Sequence, residues 1–170
     1  MIFYLYTLLA IIFLLFLLSM VWPPDSPWAP WWRTSKKTAR KMCKFAGIKK
    51  GDIVYDLGCG EGTALSIASK EFGAKGFGIE IDPLRYVFAR LLIRVNGLSK
   101  NVRIKRGNLF NEDFSNADAV FVYLVPKTLE KLVPEFKKLK KGAKIISYRY
   151  EINLKLYKYD KKSGIRVYII

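Results

Sequence analysis

Val54-Tyr55-Asp56-Leu57-Gly58-Cys59-Gly60-Glu61-Gly62-Thr63 is the stretch that decides the fold. Ile53 to Leu57 is a short apolar run interrupted only by Tyr55 and Asp56, and it reads as a strand. From Gly62 to Phe72 the apolar residues Leu65, Ile67, Ala68 and Phe72 follow helical spacing. Between them lies a glycine-rich turn, which lets a ligand approach the backbone closely. In an open α/β sheet such a turn sits at the carboxyl ends of the strands, near the switch point. The nicotinamide fingerprint G-x-G-x-x-G does not fit, because the third glycine comes one residue early and Thr63 occupies its place. A Walker-type phosphate loop is excluded, since no Gly-Lys-Ser/Thr follows.

Working outward, strands and helices alternate. Gly76–Glu80 predicts a second strand. Pro83–Asn96 predicts a helix, with proline at its start and Gly97 just past its end. Val102–Arg106 predicts a third strand, and Asp118–Val125 a fourth, continuously apolar and therefore central. Lys127–Leu139 predicts a helix, despite Pro134, and Ala143–Tyr150 a fifth strand. Leu154–Tyr159 and Ile165–Ile170 alternate around a Ser163-Gly164 turn and read as a terminal hairpin. The expected fold class is α/β: a Rossmann-like, mostly parallel sheet with a C-terminal hairpin.

Glu80 falls at the end of the second strand, where a carboxylate can accept both hydrogen bonds of a ribose diol. An exposed strand-end acid is the bland alternative. Asp82 and Pro83 cap the next helix. Asn108 follows the third strand, and a plain turn asparagine competes with any binding role.

The pattern D-x-G-x-G-x-G resembles the S-adenosylmethionine site of class I methyltransferases. That resemblance implies S-adenosyl-L-methionine as cofactor, with Asp56, Gly58, Cys59, Gly60, Gly62, Glu80, Ile81, Asn108 and Leu109 as the residues that bind it. Asn108 then matches the position that contacts the adenine, where many methyltransferases carry aspartate. Further segments follow in order: Trp28 to Trp32 ahead of a basic amphipathic helix, Gly78-Ile79-Glu80-Ile81-Asp82-Pro83, Gly107-Asn108-Leu109-Phe110, Tyr123-Leu124-Val125-Pro126 and Ser147-Tyr148-Arg149-Tyr150-Glu151-Ile152. Together they resemble the archaeal protein-lysine methyltransferases and their membrane-anchored mitochondrial relatives, which modify the adenine nucleotide translocase and the ATP synthase c-subunit. The resemblance covers about residues 28–155 and departs from the family at Tyr148, where a histidine is usual. The strand–helix unit that often follows is clipped to Glu151–Asn153.

The resemblance implies methyl transfer to protein lysines. The amine must lose its proton first, and desolvation near aromatic rings favours that. Tyr123, Tyr148 and Glu151 are the candidate catalytic residues, with Tyr150 a further aromatic candidate. The Asn/Asp-Pro-Pro-aromatic sequence common in base and glutamine methyltransferases is absent, since Tyr123-Leu124-Val125-Pro126 stands there. Methylation of RNA, or of a lipid or quinone, is the alternative activity, and a non-catalytic binding module is a third.

Composition narrows the chemistry. The chain has 170 residues, 30 Lys and Arg against 14 Asp and Glu, and no histidine. A histidine base and a histidine metal ligand are therefore excluded. Two cysteines, Cys43 and Cys59, are too few for a disulfide framework or an all-cysteine zinc site. Both are expected as free thiols, and no metal is expected.

Residues Met1 to Trp22 carry no charge. They read as a retained transmembrane anchor rather than a cleaved signal, because no basic residue precedes the run. Residues 23–33, rich in tryptophan and proline, read as an interfacial linker, and residues 34–170 as the methyltransferase domain. The basic run Arg33 to Lys50 puts the domain on the cytoplasmic side by the positive-inside rule. The partners expected are a membrane-associated protein with an accessible lysine and anionic lipid headgroups, with nucleic acid as the alternative drawn by the +16 charge.

Overall fold

The structure is a computed structural model, and it describes residues 2–21 and 32–170. A first helix, α1 (Ile2–Val21), precedes the domain. The domain then runs α2 (Lys36–Ala46), β1 (Ile53–Leu57), α3 (Thr63–Phe72), β2 (Lys75–Glu80), α4 (Pro83–Val95), β3 (Val102–Arg106), β4 (Ala119–Val122), α5 (Pro126–Phe136), β5 (Lys144–Tyr148), β6 (Leu156–Asp160) and β7 (Ile165–Ile169). The strands form one sheet in the order β3-β2-β1-β4-β5-β7-β6. The first five pair in parallel; β7 is antiparallel to β5 and to β6. The expected Rossmann-like sheet and its terminal hairpin are what the chain forms.

Local sequence explains the element ends. The Ser35 hydroxyl accepts the Thr38 amide at 3.1 Å and starts α2, and Gly47 stops it in the left-handed region. Asp82 accepts the Arg85 amide at 2.8 Å, with Pro83 in the first turn of α4. β4 is buried at every position, as its unbroken apolar run requires of a strand covered on both faces. Phe121 packs on the α2–α3–α4 side with Met42, Leu65 and Ile93. Val120 and Val122 face the other side with Leu129, Leu132 and Phe136 of α5. The period-two alternation of side chains thus fills both layers from one strand.

The sequence reading of Met1–Trp22 as a membrane span is corrected. Among the described residues, no helix is long and apolar enough to cross a membrane. The transmembrane part of the expected fold class, the single-pass localisation and the cytoplasmic orientation fall with it. So does the premise for lipid headgroups as partners. Of the expected 23–33 linker, residues 23–31 lie outside the described residues, as does Trp22; Trp32 and Arg33 are described.

Candidate functional site

The site forms where the strand order reverses, between β1 and β4, at the carboxyl ends of the strands. β1 delivers Asp56 and Leu57, and the chain then turns through Gly58, Cys59 and Gly60 into α3. Two amides of this turn, those of Gly58 and Cys59, donate to the Ile79 carbonyl at 2.9 and 3.0 Å, which fastens the turn to β2. Gly58 has φ +80°, and a Cβ there would lie 3.3 Å from Leu124. The positive φ favours glycine, and Leu124 would have to give by a few tenths of an ångström to admit a Cβ.

Glu80 ends β2 and is buried. One carboxylate oxygen accepts the Gly60 amide at 2.8 Å, and the other accepts the Asp82 amide at 3.0 Å. Each oxygen keeps a further acceptor direction. Asp56 is buried too; burial first, then the Glu80 charge, raises its carboxyl from the ordinary 3.8 to about 7. A raised carboxyl pKa means that the native state binds the proton more tightly than the unfolded chain does. Stability from this group is therefore present at low pH and lost as pH rises from about 4 through 7. Urea unfolding of the cofactor-free protein at pH 5.5 and pH 8 should show this slope, and Asp56→Asn should flatten it. An equal slope in the variant would reject the assignment.

The cavity at this turn brings together nearly all the expected binding residues. Asp56, Gly58, Cys59, Gly60, Glu80, Ile81, Asn108 and Leu109 line it, and Tyr123 does as well. Gly62 does not; it caps α3 at φ +73° and acts through the turn. Asn108 accepts the Phe110 amide at 3.1 Å, so it shapes its own turn while facing the cavity. Of the catalytic candidates only Tyr123 lines the cavity. Tyr148 meets it edge-on at 4.7 Å between ring centroids, and Tyr150 lies 6.3 Å away. Glu151 is exposed and outside the lining.

Sequence reasoning missed three lining residues before α2: Trp32, Arg33 and Thr34. Arg33 pairs with Glu61 at 2.5 Å, which lays this segment beside the glycine turn. Trp32 meets the Tyr123 ring edge-on at 6.1 Å. Their sequence signal, an aromatic just before a basic helix, pointed equally well to a linker.

Both cysteines are free and buried, Cys43 in α2 and Cys59 in the turn. Burial pushes both thiols up, Cys43 to about 12. Neither should react with iodoacetamide at pH 8 in the native protein, and both should after unfolding without reductant. Rapid native labelling of Cys59 would mean that the turn is open.

Comparison with known proteins decides the family. The ANTKMT methyltransferase domain model matches residues 56–155, more than half of the chain. The chain belongs to that family. A protein-lysine N-methyltransferase of Saccharolobus islandicus is 37% identical to this ANTKMT-type domain over 135 residues, 78% of this chain and 82% of that protein. A ribosomal protein L11 methyltransferase of Caldanaerobacter subterraneus is 34% identical over 60% of this chain, but only 34% of its own length is covered. Among solved structures, an RNA methyltransferase from Salinibacter ruber in complex with S-adenosyl-L-homocysteine is 33% identical. It superposes with a TM-score of 0.75 over 81% of this chain and 91% of that one. This ANTKMT-type domain is an S-adenosylmethionine-dependent methyltransferase. The buried Glu80 with acceptor directions to spare, and the turn at which a Cβ would crowd Leu124, suit a ribose and a closely approaching chain.

Proposed function

We propose that the acceptor is a lysine side chain of a protein. The observation that carries this is the aromatic mouth of the cofactor cavity, formed by Trp32, Tyr123, Tyr148 and Tyr150. Aromatic faces attract an ammonium group and stay complementary as methyl groups replace its protons. The Saccharolobus relative supports the same reading.

In this proposal Glu80 takes the ribose hydroxyls, Gly58 and Gly60 line the methionine portion, and Ile81, Asn108 and Leu109 border the adenine. Bound there, the cofactor supplies a sulfonium methyl group that passes to a neutral nitrogen in line with the departing sulfur. The protein's part is to hold the nitrogen on that line and to exclude water from it. Tyr123 is pushed up to about 12 by burial, so its hydroxyl keeps its proton at neutral pH. It serves as a hydrogen-bond and ring contact, not as a base. The chain has no histidine to take the acceptor's proton, so that proton leaves to solvent before transfer, and the rings suit the methylated ammonium that results.

RNA is the second reading, favoured by the +16 charge and by the activity of the Salinibacter protein. One experiment separates the two. The full chain is incubated with methyl-labelled cofactor, a cell protein extract and total RNA, and the products are hydrolysed. Label recovered as Nε-methyllysine is expected; label confined to nucleotides rejects the lysine acceptor.

A further inference from the structure

Arg149, between Tyr148 and Tyr150, has φ +70°, the one positive φ outside glycine among the described residues. A side chain with a Cβ adopts this backbone state rarely, so something must impose it. The surrounding main chain does. The Arg149 amide donates to the Gly164 carbonyl at 2.8 Å, and its carbonyl accepts from Arg166 at 2.8 Å. The buried Ser147 hydroxyl donates to the Tyr150 carbonyl at 2.5 Å and closes the turn.

The turn aims the Arg149 side chain at the aromatic mouth. Its guanidinium carbon lies 4.8 Å from the Trp32 ring centroid, 5.6 Å from Tyr148 and 5.8 Å from Tyr123. Among the described residues no carboxylate forms an ion pair with it. The rings and a hydrogen bond with Tyr148 hold it. Two of the three rings, Trp32 and Tyr123, also line the cofactor cavity. A cation therefore already lies over two rings that border the cofactor cavity.

We propose that Arg149 is a built-in occupant of the acceptor subsite. Its exposed guanidinium covers the Trp32, Tyr123 and Tyr148 rings that receive the acceptor's amine, and it must swing off them before that amine can use them. The inference rests on the proposed amine acceptor and deepens it. A guanidinium keeps its charge at every working pH, so this residue is no proton acceptor; its role is competition. Tethered one turn away, it acts as a competitor at a fixed high local concentration. A lone lysine side chain displaces it poorly. An acceptor that also binds outside these rings displaces it well, so the occupant selects lysines by their surroundings.

The test uses the full chain and Nα-acetyl-trimethyllysine amide as probe, with binding followed by calorimetry. Arg149→Gly keeps both main-chain hydrogen bonds and suits φ +70°, so the fold is retained. It should bind the probe about tenfold more tightly than the parent protein, the scale expected when rings are freed for a second cation. Arg149→Lys keeps a cation over the rings and should behave like the parent. Adding Tyr123→Ala to Arg149→Gly should remove the gain. Unchanged or weaker probe binding in Arg149→Gly overturns the proposal, as does an equal gain in Arg149→Lys. The probe requires no methyl transfer, so tighter binding together with no methyllysine would uphold the occupant and reject the lysine reading alone.

Discussion

Glu80→Ala should weaken S-adenosylmethionine binding by about a hundredfold or more, because two hydrogen bonds to a charged acceptor are lost at roughly 1.5–3 kcal/mol each. The side chain is buried, and its oxygens already hold the Gly60 and Asp82 amides, so the carboxylate is aimed before the ligand arrives. Little entropy remains to be lost on binding, so the loss should not fall below the lower end of that range. The ribose is common to cofactor and product, so S-adenosylhomocysteine should lose affinity by the same factor. Calorimetry with both ligands checks this. A variant that binds either one as the parent does would remove Glu80 from the site. The two backbone amides left without a partner should also lower the melting temperature.

Gly78→Ala should be the most damaging single methyl group in the domain. The added Cβ would lie 2.7 Å from the Cys59 sulfur, 2.7 Å from Ile104 and 2.9 Å from Leu65. The sulfur cannot retreat freely, because the Cys59 amide is fastened to the Ile79 carbonyl at 3.0 Å. Either β2 moves or the glycine turn does. Overpacking of this kind costs about 1–3 kcal/mol. Displacement of the turn should add about a tenfold loss of cofactor affinity, since a small misplacement of the contacting backbone is enough. Urea unfolding and calorimetry measure the two parts. Parent-like values in both would mean that the sheet absorbs the methyl group elsewhere.

The cofactor half of the site was legible in the sequence because its requirements are local. A glycine turn after a strand, and an acid at the end of the next strand, are spacings that a linear reading can see. The aromatic cluster beside it was not, because its rings come from distant parts of the chain that meet only in space. Trp32 read as part of a linker, yet it faces Tyr123, which lies 91 positions on. Arg149 was given no role of its own, and nothing in its neighbours announced a positive φ. The same kink explains why β5 ends at Tyr148 rather than at the expected Tyr150. Glu151, named as an acid for catalysis, lies beyond that kink, exposed and outside the cavity lining. The membrane reading of residues 1–22 rested on an uncharged, apolar composition, and among the described residues no helix is long and apolar enough to cross a membrane.

The terminal hairpin ties the two sides of the mouth together. Gly164, in its turn, accepts the Arg149 amide, and Asp160, at the end of β6, pairs with Lys41 in α2, the helix that Trp32 leads into. The segment matched by the family model, 56–155, contains neither Trp32 nor this hairpin. Tyr123, Tyr148 and Tyr150 stand inside that matched segment, and the two flanks, joined to each other, brace the ring cluster from outside it. A chimera that exchanges one flank alone cuts the Asp160–Lys41 tie, so it should melt lower than one in which both flanks are exchanged at once.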